Sequence, residues 1–186
     1  MRKKSHNKAL HLAPKAPLLS SLCFCWQVSL VVITQKMRIE DITNFMQVSE
    51  NIASSGQPVE TQFGSIAAAD YRLVVNLAMP NSDSAIPEEG NIVTALKMTY
   101  VHIPVPFESP TVKHLQAFMK IMSSFANDKI WVHCVVNYRV SAFLYQYFRL
   151  SQGYSDAQAK NAILPSWQPN DTWQRFMAID CNDVAL

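Results

Sequence analysis

The segment from Lys129 to Leu150 constrains the fold of this chain more than any other. Lys129-Ile130-Trp131-Val132-His133 reads as a strand, Cys134 follows at once, and a helical run extends from about Val140 to Leu150. Ala142, Phe143, Tyr145, Tyr147 and Phe148 are too many apolar and aromatic residues for one narrow stripe, so this helix is expected to be central. A strand leading through a short loop into a helix places backbone amides and the positive end of the helix dipole around the cysteine sulfur, which is an anion-binding arrangement.

The same alternation of short strands and helices runs from Met37 onward and predicts an α/β fold with a mainly parallel central sheet flanked by helices. Phe45 to Val48 and Ile52 to Ser54 flank Ser49-Glu50-Asn51 as a hairpin. Pro58 suits the first turn of a helix whose apolar face is Phe63, Ile66, Ala67 and Ala69, and Arg72 to Ala78 reads as a buried strand. A helix near Glu88 to Lys97 leads to the strand Thr99 to Ile103, which Pro104 and Pro106 end because proline cannot donate to a ladder. Thr111 can cap a helix with Val112, Leu115, Phe118, Met119, Met122 and Phe125 at core spacing. Two further helices, near Asp156 to Leu164 and Asp171 to Ile179, complete the chain.

With 186 residues, 49% of them hydrophobic, the chain can bury a core as one domain, expected to span residues 37–186. A net charge of +2, with no basic run beyond the first residues, excludes a nucleic-acid-binding footprint. Cys23, Cys25, Cys134 and Cys181 show neither disulfide-framework nor metal-ligand spacing, so no metal and no cofactor is expected. Residues 1–36 form an N-terminal extension in which Arg2, Lys3, Lys4, Lys8 and Lys15 precede the apolar run Leu18 to Thr34. Two readings stand: an export signal or short membrane anchor, or an upstream extension with Met37 as the true start, which would make the protein cytoplasmic. The run is interrupted by Ser20, Ser21, Gln27 and Ser29 and falls short of the roughly 20 residues that span a bilayer.

A cysteine in such an anion cradle is favoured as the thiolate and can attack phosphorus. An arginine at the helix start can grip two phosphoryl oxygens at once and stabilise the transition-state charge. Cys134, the backbone of Val135, Val136, Asn137 and Tyr138, and Arg139 therefore make a candidate phosphoryl-transfer site, with His133 ordering the loop by hydrogen bonding.

At these residues the chain resembles the protein tyrosine phosphatase superfamily. More closely it resembles the bacterial tyrosine-phosphatase-like group related to the DUF442, or beta-lactamase-hydrolase-like, phosphatase domain. The resemblance rests on Ile52-Ala53-Ser54-Ser55-Gly56-Gln57-Pro58, then Val74-Val75-Asn76-Leu77, then Val132-His133-Cys134, and covers roughly Met37 to Trp173. It implies a cysteine-phosphatase fold and Cys134 as nucleophile forming a phosphocysteine. It also implies an arginine on the phosphate, a downstream hydroxyl at Ser141 supporting the thiolate, and an acid on a preceding loop. Glu108, after Ile103-Pro104-Val105-Pro106-Phe107, stands where that acid is expected, and Asp83 is the second candidate.

The superfamily separates its cysteine and arginine by five residues, whereas four separate Cys134 from Arg139. A gapless alignment puts Asn137 in the place of the usual glycine and Val140 in the place of the arginine. One helical residue turns a side chain by about 100 degrees. Either the loop is wound so that Arg139 still reaches the phosphate, or the cradle binds an anion without an efficient clamp. The corresponding functions are a phosphate-monoester hydrolase, slowed if the clamp is imperfect, and a pseudophosphatase that binds phosphate or phosphopeptide. The implied partner is a phosphorylated small molecule or protein. Tyr138 is placed to border the mouth of the site, Trp167 and Trp173 belong to the core or to one pocket wall, and His102 is a strand residue.

Overall fold

The computed structural model of the protein describes residues 38–184, and the readings made of residues 1–36 fall outside them. Among the described residues one sheet forms, in the order β1-β2-β5-β3-β4. Its strands are β1 (Met46–Gln47), β2 (Ile52–Ser55), β3 (Leu73–Asn76), β4 (Thr99–His102) and β5 (Ile130–His133). β1 pairs antiparallel with β2 as the expected hairpin, and the other three pairings are parallel. The helices are α1 (Glu60–Ala68), α2 (Glu89–Ala95), α3 (Val112–Ser124), α4 (Tyr138–Leu150), α5 (Asp156–Ala159) and α6 (Asp171–Met177). No helix among the described residues is long and apolar enough to cross a membrane.

Successive strand residues point to opposite faces, and the two faces bury separate cores. Ala53, Val74 and Trp131 pack with Phe63 and Ile66 of α1 and Val93 of α2. Ile52, Leu73, Val75, Ile130 and Val132 pack with α3, α4 and α6 through Leu115, Phe118, Phe143, Leu144 and Trp173. Each such large side chain contributes roughly 1.5–3 kcal/mol by leaving water. β5 lies at the centre of the sheet, and every residue of α4 from Arg139 to Phe148 is buried, as its aromatic surplus required.

Of the boundaries that differ from the sequence expectation, three have a cause visible in the structure. Pro58 stands ahead of α1 instead of inside its first turn, because Gln62 reaches back to the Val59 amide (2.9 Å) and caps the helix there. α4 begins at Tyr138 instead of Val140, because Asn137 adopts a left-handed conformation (φ 71) that turns the chain straight into the helix. The helix expected from Asp156 to Leu164 gives way after Ala159 to a 3-10 turn at Lys160–Ala162. Beyond that turn the Leu164 amide is taken by the Ser141 hydroxyl (3.0 Å), so it does not continue a helical ladder.

Candidate active site

The parallel registers align Ser55, His133, Asn76 and His102 in one row at the C-terminal edge of the sheet. Open α/β sheets place their sites beyond this edge. Cys134 leaves β5 there, fully buried, with its amide on the Ser55 carbonyl (3.3 Å).

The carbonyls of the following loop are taken by the surrounding scaffold. Val135 O accepts from the Gln57 amide (3.0 Å), Val136 O from Asn44 Nδ2 (3.0 Å), and Asn137 O from the amide (3.0 Å) and hydroxyl (2.8 Å) of Ser141. Among the described residues no hydrogen bond is donated by the amides of Val135, Val136, Tyr138 or Arg139. Carbonyls held outward and amides left over leave a cluster of free donors of the kind that can receive an anion. Asn137 is buried and locks this winding, donating to Asn44 O (2.7 Å) and Ser54 Oγ (3.1 Å) from its left-handed backbone. Gly56 is required by close approach, since a Cβ there would meet the Val135 carbonyl at 2.7 Å. Ser141 spends its hydroxyl on Asn137 O and on the Leu164 amide, so it ties the loop to the segment before α6.

Arg139 is 8% exposed, so most of its side chain is packed against the protein. Its guanidinium lies over the Phe107 ring (5.4 Å), and its buried Nε has no partner among the described residues. Val140, where the superfamily spacing would put an arginine, is fully buried in the core. Phe107 also meets Trp173 (5.3 Å), Trp173 meets Trp167 (6.0 Å), and Trp167 stacks on Tyr138 (5.3 Å, 10°). Both tryptophans are therefore core residues that brace the first turn of α4, and Tyr138 is half-buried against one of them.

Glu108 follows Phe107 but is exposed, lining an open groove of about 430 Å³ with Thr111, Thr172 and Arg175. Asp83 is likewise exposed. His102 ends β4 and its Nε2 meets the Ala78 carbonyl (2.7 Å).

Sequence reasoning passed over Glu89. A glutamate at a helix start reads as a solvated residue on the favourable end of the dipole, yet Glu89 is 2% exposed. Its carboxylate meets His133 Nε2 (2.9 Å), Asn76 Nδ2 (2.9 Å) and Gln57 Nε2 (2.5 Å). Burial pushes its carboxyl up, but the hydrogen bond and charge of His133, with the bond from Gln57, outweigh burial and hold it below the ordinary value of 4.5. The same negative charge and burial push the Tyr100 hydroxyl up. A carboxyl lowered on folding stabilises the fold fully above its unfolded value and loses that contribution as pH falls through the lowered one. Glu89→Leu takes the acceptor from three donors, of which the fully buried His133 Nε2 has no other partner among the described residues, and is expected to cost about 3–5 kcal/mol, lowering Tm by on the order of 10 °C at neutral pH. The gap from wild type should narrow below about pH 4.5, which thermal denaturation across pH would measure.

A buried cysteine at the centre of a mainly parallel sheet, an amide-rich loop and an arginine in the first turn of the next helix define the cysteine-phosphatase class. No family model matches the chain, and no curated protein does. Among solved structures it is 34% identical to a proposed phosphatase of the DUF442 group from Shewanella putrefaciens CN-32. That match has a TM-score of 0.68 and covers 75% of this chain and 92% of that one. This chain belongs to that protein-tyrosine-phosphatase-like DUF442 group. The core catalytic domain of the PP-IP phosphatase SIW14 from S. cerevisiae shares the fold at 18% identity and TM-score 0.59, over 77% of this chain and 89% of its own. P. aeruginosa TpbA shares it at 12% identity and TM-score 0.61, over 76% and 88%.

Proposed function

We propose that the protein hydrolyses phosphate monoesters of a phosphorylated small molecule or protein, through a phosphocysteine at Cys134 and without a metal. The observation that carries this reading is Arg139: a residue 8% exposed, its buried Nε without a partner among the described residues, at the start of the helix that follows the cysteine loop. A guanidinium nitrogen buried without an acceptor is costly, and an anion held by the unused amides of the same loop would supply one.

In this reading the Cys134 thiolate attacks phosphorus in line, and the sulfur–phosphorus bond forms as the ester oxygen leaves. The loop amides and Arg139 hold the remaining oxygens and stabilise the charge they gain. The leaving oxygen takes a proton from Glu108. Water then attacks the phosphocysteine, giving up a proton to the Glu108 carboxylate, and inorganic phosphate departs with the thiolate restored. Glu108 would have to turn from its groove toward the loop for both transfers, a movement that acid loops of enzymes commonly make on closing.

Phosphate release from p-nitrophenyl phosphate in the presence of EDTA tests the proposal. Turnover supports it, and binding of phosphate without turnover would favour the pseudophosphatase reading. The exposed position of Glu108, and the commitment of the Ser141 hydroxyl to Asn137 O and the Leu164 amide, are the observations on that side. Glu108→Gln is expected to slow an alkyl phosphate by roughly 100-fold or more and an aryl phosphate with a good leaving group far less, because only the poor leaving group needs the proton. Equal slowing of both substrates in steady-state assays would remove Glu108 from the role.

A further inference from the structure

We propose that Glu89 is a positioning residue for the Cys134 loop: its carboxylate binds together Gln57, Asn76 and His133, beyond or at the ends of the three central strands, and so holds the loop in place around the sulfur. The proposal rests on Cys134 as the nucleophile.

The three bonds of the carboxylate are distributed in a telling way. His133 ends β5 and is the residue before Cys134. Gln57 follows Gly56 beyond β2, and its own amide holds the Val135 carbonyl on the far side of the cysteine. Asn76 ends β3, the other neighbour of β5, and its Oδ1 accepts the Ala78 amide (2.7 Å). One buried group therefore fixes the residues on both sides of Cys134 and the two strands that flank it.

His133 is fully buried, and Glu89 is the only hydrogen-bonding contact of its ring among the described residues, since Nδ1 has no partner. A carboxylate can only accept, so Nε2 carries the proton. The bond to the carboxylate polarises the imidazole and fixes its orientation. The remaining groups around the pair leave it isolated. Tyr100 of β4 is the nearby titratable hydroxyl, Phe63 of α1 presents a ring edge to His133 (6.1 Å), β2 and β3 supply the neutral amides Gln57 and Asn76, and the loop supplies Cys134. Because His133 is the residue before Cys134 and Gln57 holds the Val135 carbonyl after it, fixing both fixes the loop whose free amides favour the thiolate.

The test is the pH dependence of Cys134 alkylation by iodoacetamide in the full chain, followed on the Cys134 peptide by mass spectrometry. This readout needs no turnover. Glu89→Gln, His133→Gln and the double variant are compared with wild type. The expected result is an upward shift of the alkylation midpoint by about half a pH unit or more in Glu89→Gln, with the double variant no further shifted than His133→Gln. In a phosphatase assay kcat/KM should fall by about tenfold, the scale of one charge-assisted hydrogen bond. An unmoved midpoint, a downward shift, or additive shifts in the double variant would overturn the proposal, the last two because the carboxylate would then act independently of His133. If Glu89→Gln does not fold, Glu89→Asp keeps the charge but cannot reach His133 and Gln57 together, and the same upward shift is expected. Should wild type show no turnover, the phosphatase reading falls while the alkylation shift still decides the part played by Glu89.

Discussion

Cys134→Ser is expected to abolish phosphate release, by at least about 10⁴-fold, the scale on which removal of a catalytic nucleophile acts. The exchange replaces sulfur with oxygen at a fully buried position and leaves the loop amides and Arg139 in place. A serine hydroxyl has no comparable tendency to ionise and is a weak nucleophile at its ordinary pKa. Attack on phosphorus therefore stops, while the cradle of carbonyl-anchored loop and guanidinium is unchanged. Calorimetric titration with inorganic phosphate should give a dissociation constant within a few-fold of wild type, because the neutral hydroxyl removes the repulsion between thiolate and dianion. Acid quenching of wild type during turnover should in addition leave phosphate on the Cys134 peptide and on no other. Release of phosphate by Cys134→Ser at the wild-type rate would eliminate Cys134 as the nucleophile.

The fold was readable because its elements announce themselves locally. Thr111 caps α3 by accepting the His114 amide (3.3 Å), and the β1–β2 hairpin closes over Ser49-Glu50-Asn51 through Val48 N and Ser49 N on the Ile52 carbonyl. The cysteine loop was readable for the same reason, since strand, cysteine, left-handed asparagine and helix follow one another in the chain. What escaped were groups that act across long sequence separations. Glu89 is 44 residues from His133, and Asn44 is 93 from Asn137; neither carries a pattern around it that distinguishes it from a solvated side chain. The direction of Arg139 was undecidable for a different reason. It depends on where α4 begins, and two residues of helix at its start, set by the conformation of Asn137, decide whether the side chain lies on the surface or packs against Phe107.

Arg139→Lys is expected to lower kcat/KM by roughly 100-fold or more, the scale for losing one transition-state donor. The ammonium keeps the charge, but it is a point charge and cannot offer two parallel donors to two phosphoryl oxygens. It also stacks less well on Phe107, whose face helps hold the guanidinium of a residue 8% exposed. Arg139→Met separates a binding arginine from a structural one. A buried Nε without an acceptor is a burden on the free protein, relieved only in part by an aromatic face. Thermal unfolding of Arg139→Met without phosphate should therefore occur at the wild-type temperature or above it, while activity is lost and the stabilisation that wild type gains from added phosphate disappears. A structural arginine would behave in the opposite way, with Tm falling and the phosphate effect retained. The double change Arg139→Val with Val140→Arg, which would restore the superfamily spacing on paper, is expected to unfold the protein or leave it inactive, because Val140 is fully buried among the apolar residues on the α3 and α4 side of the sheet. A silent Arg139→Lys together with a gain of activity in the double variant would refute Arg139 as the residue that grips the phosphate.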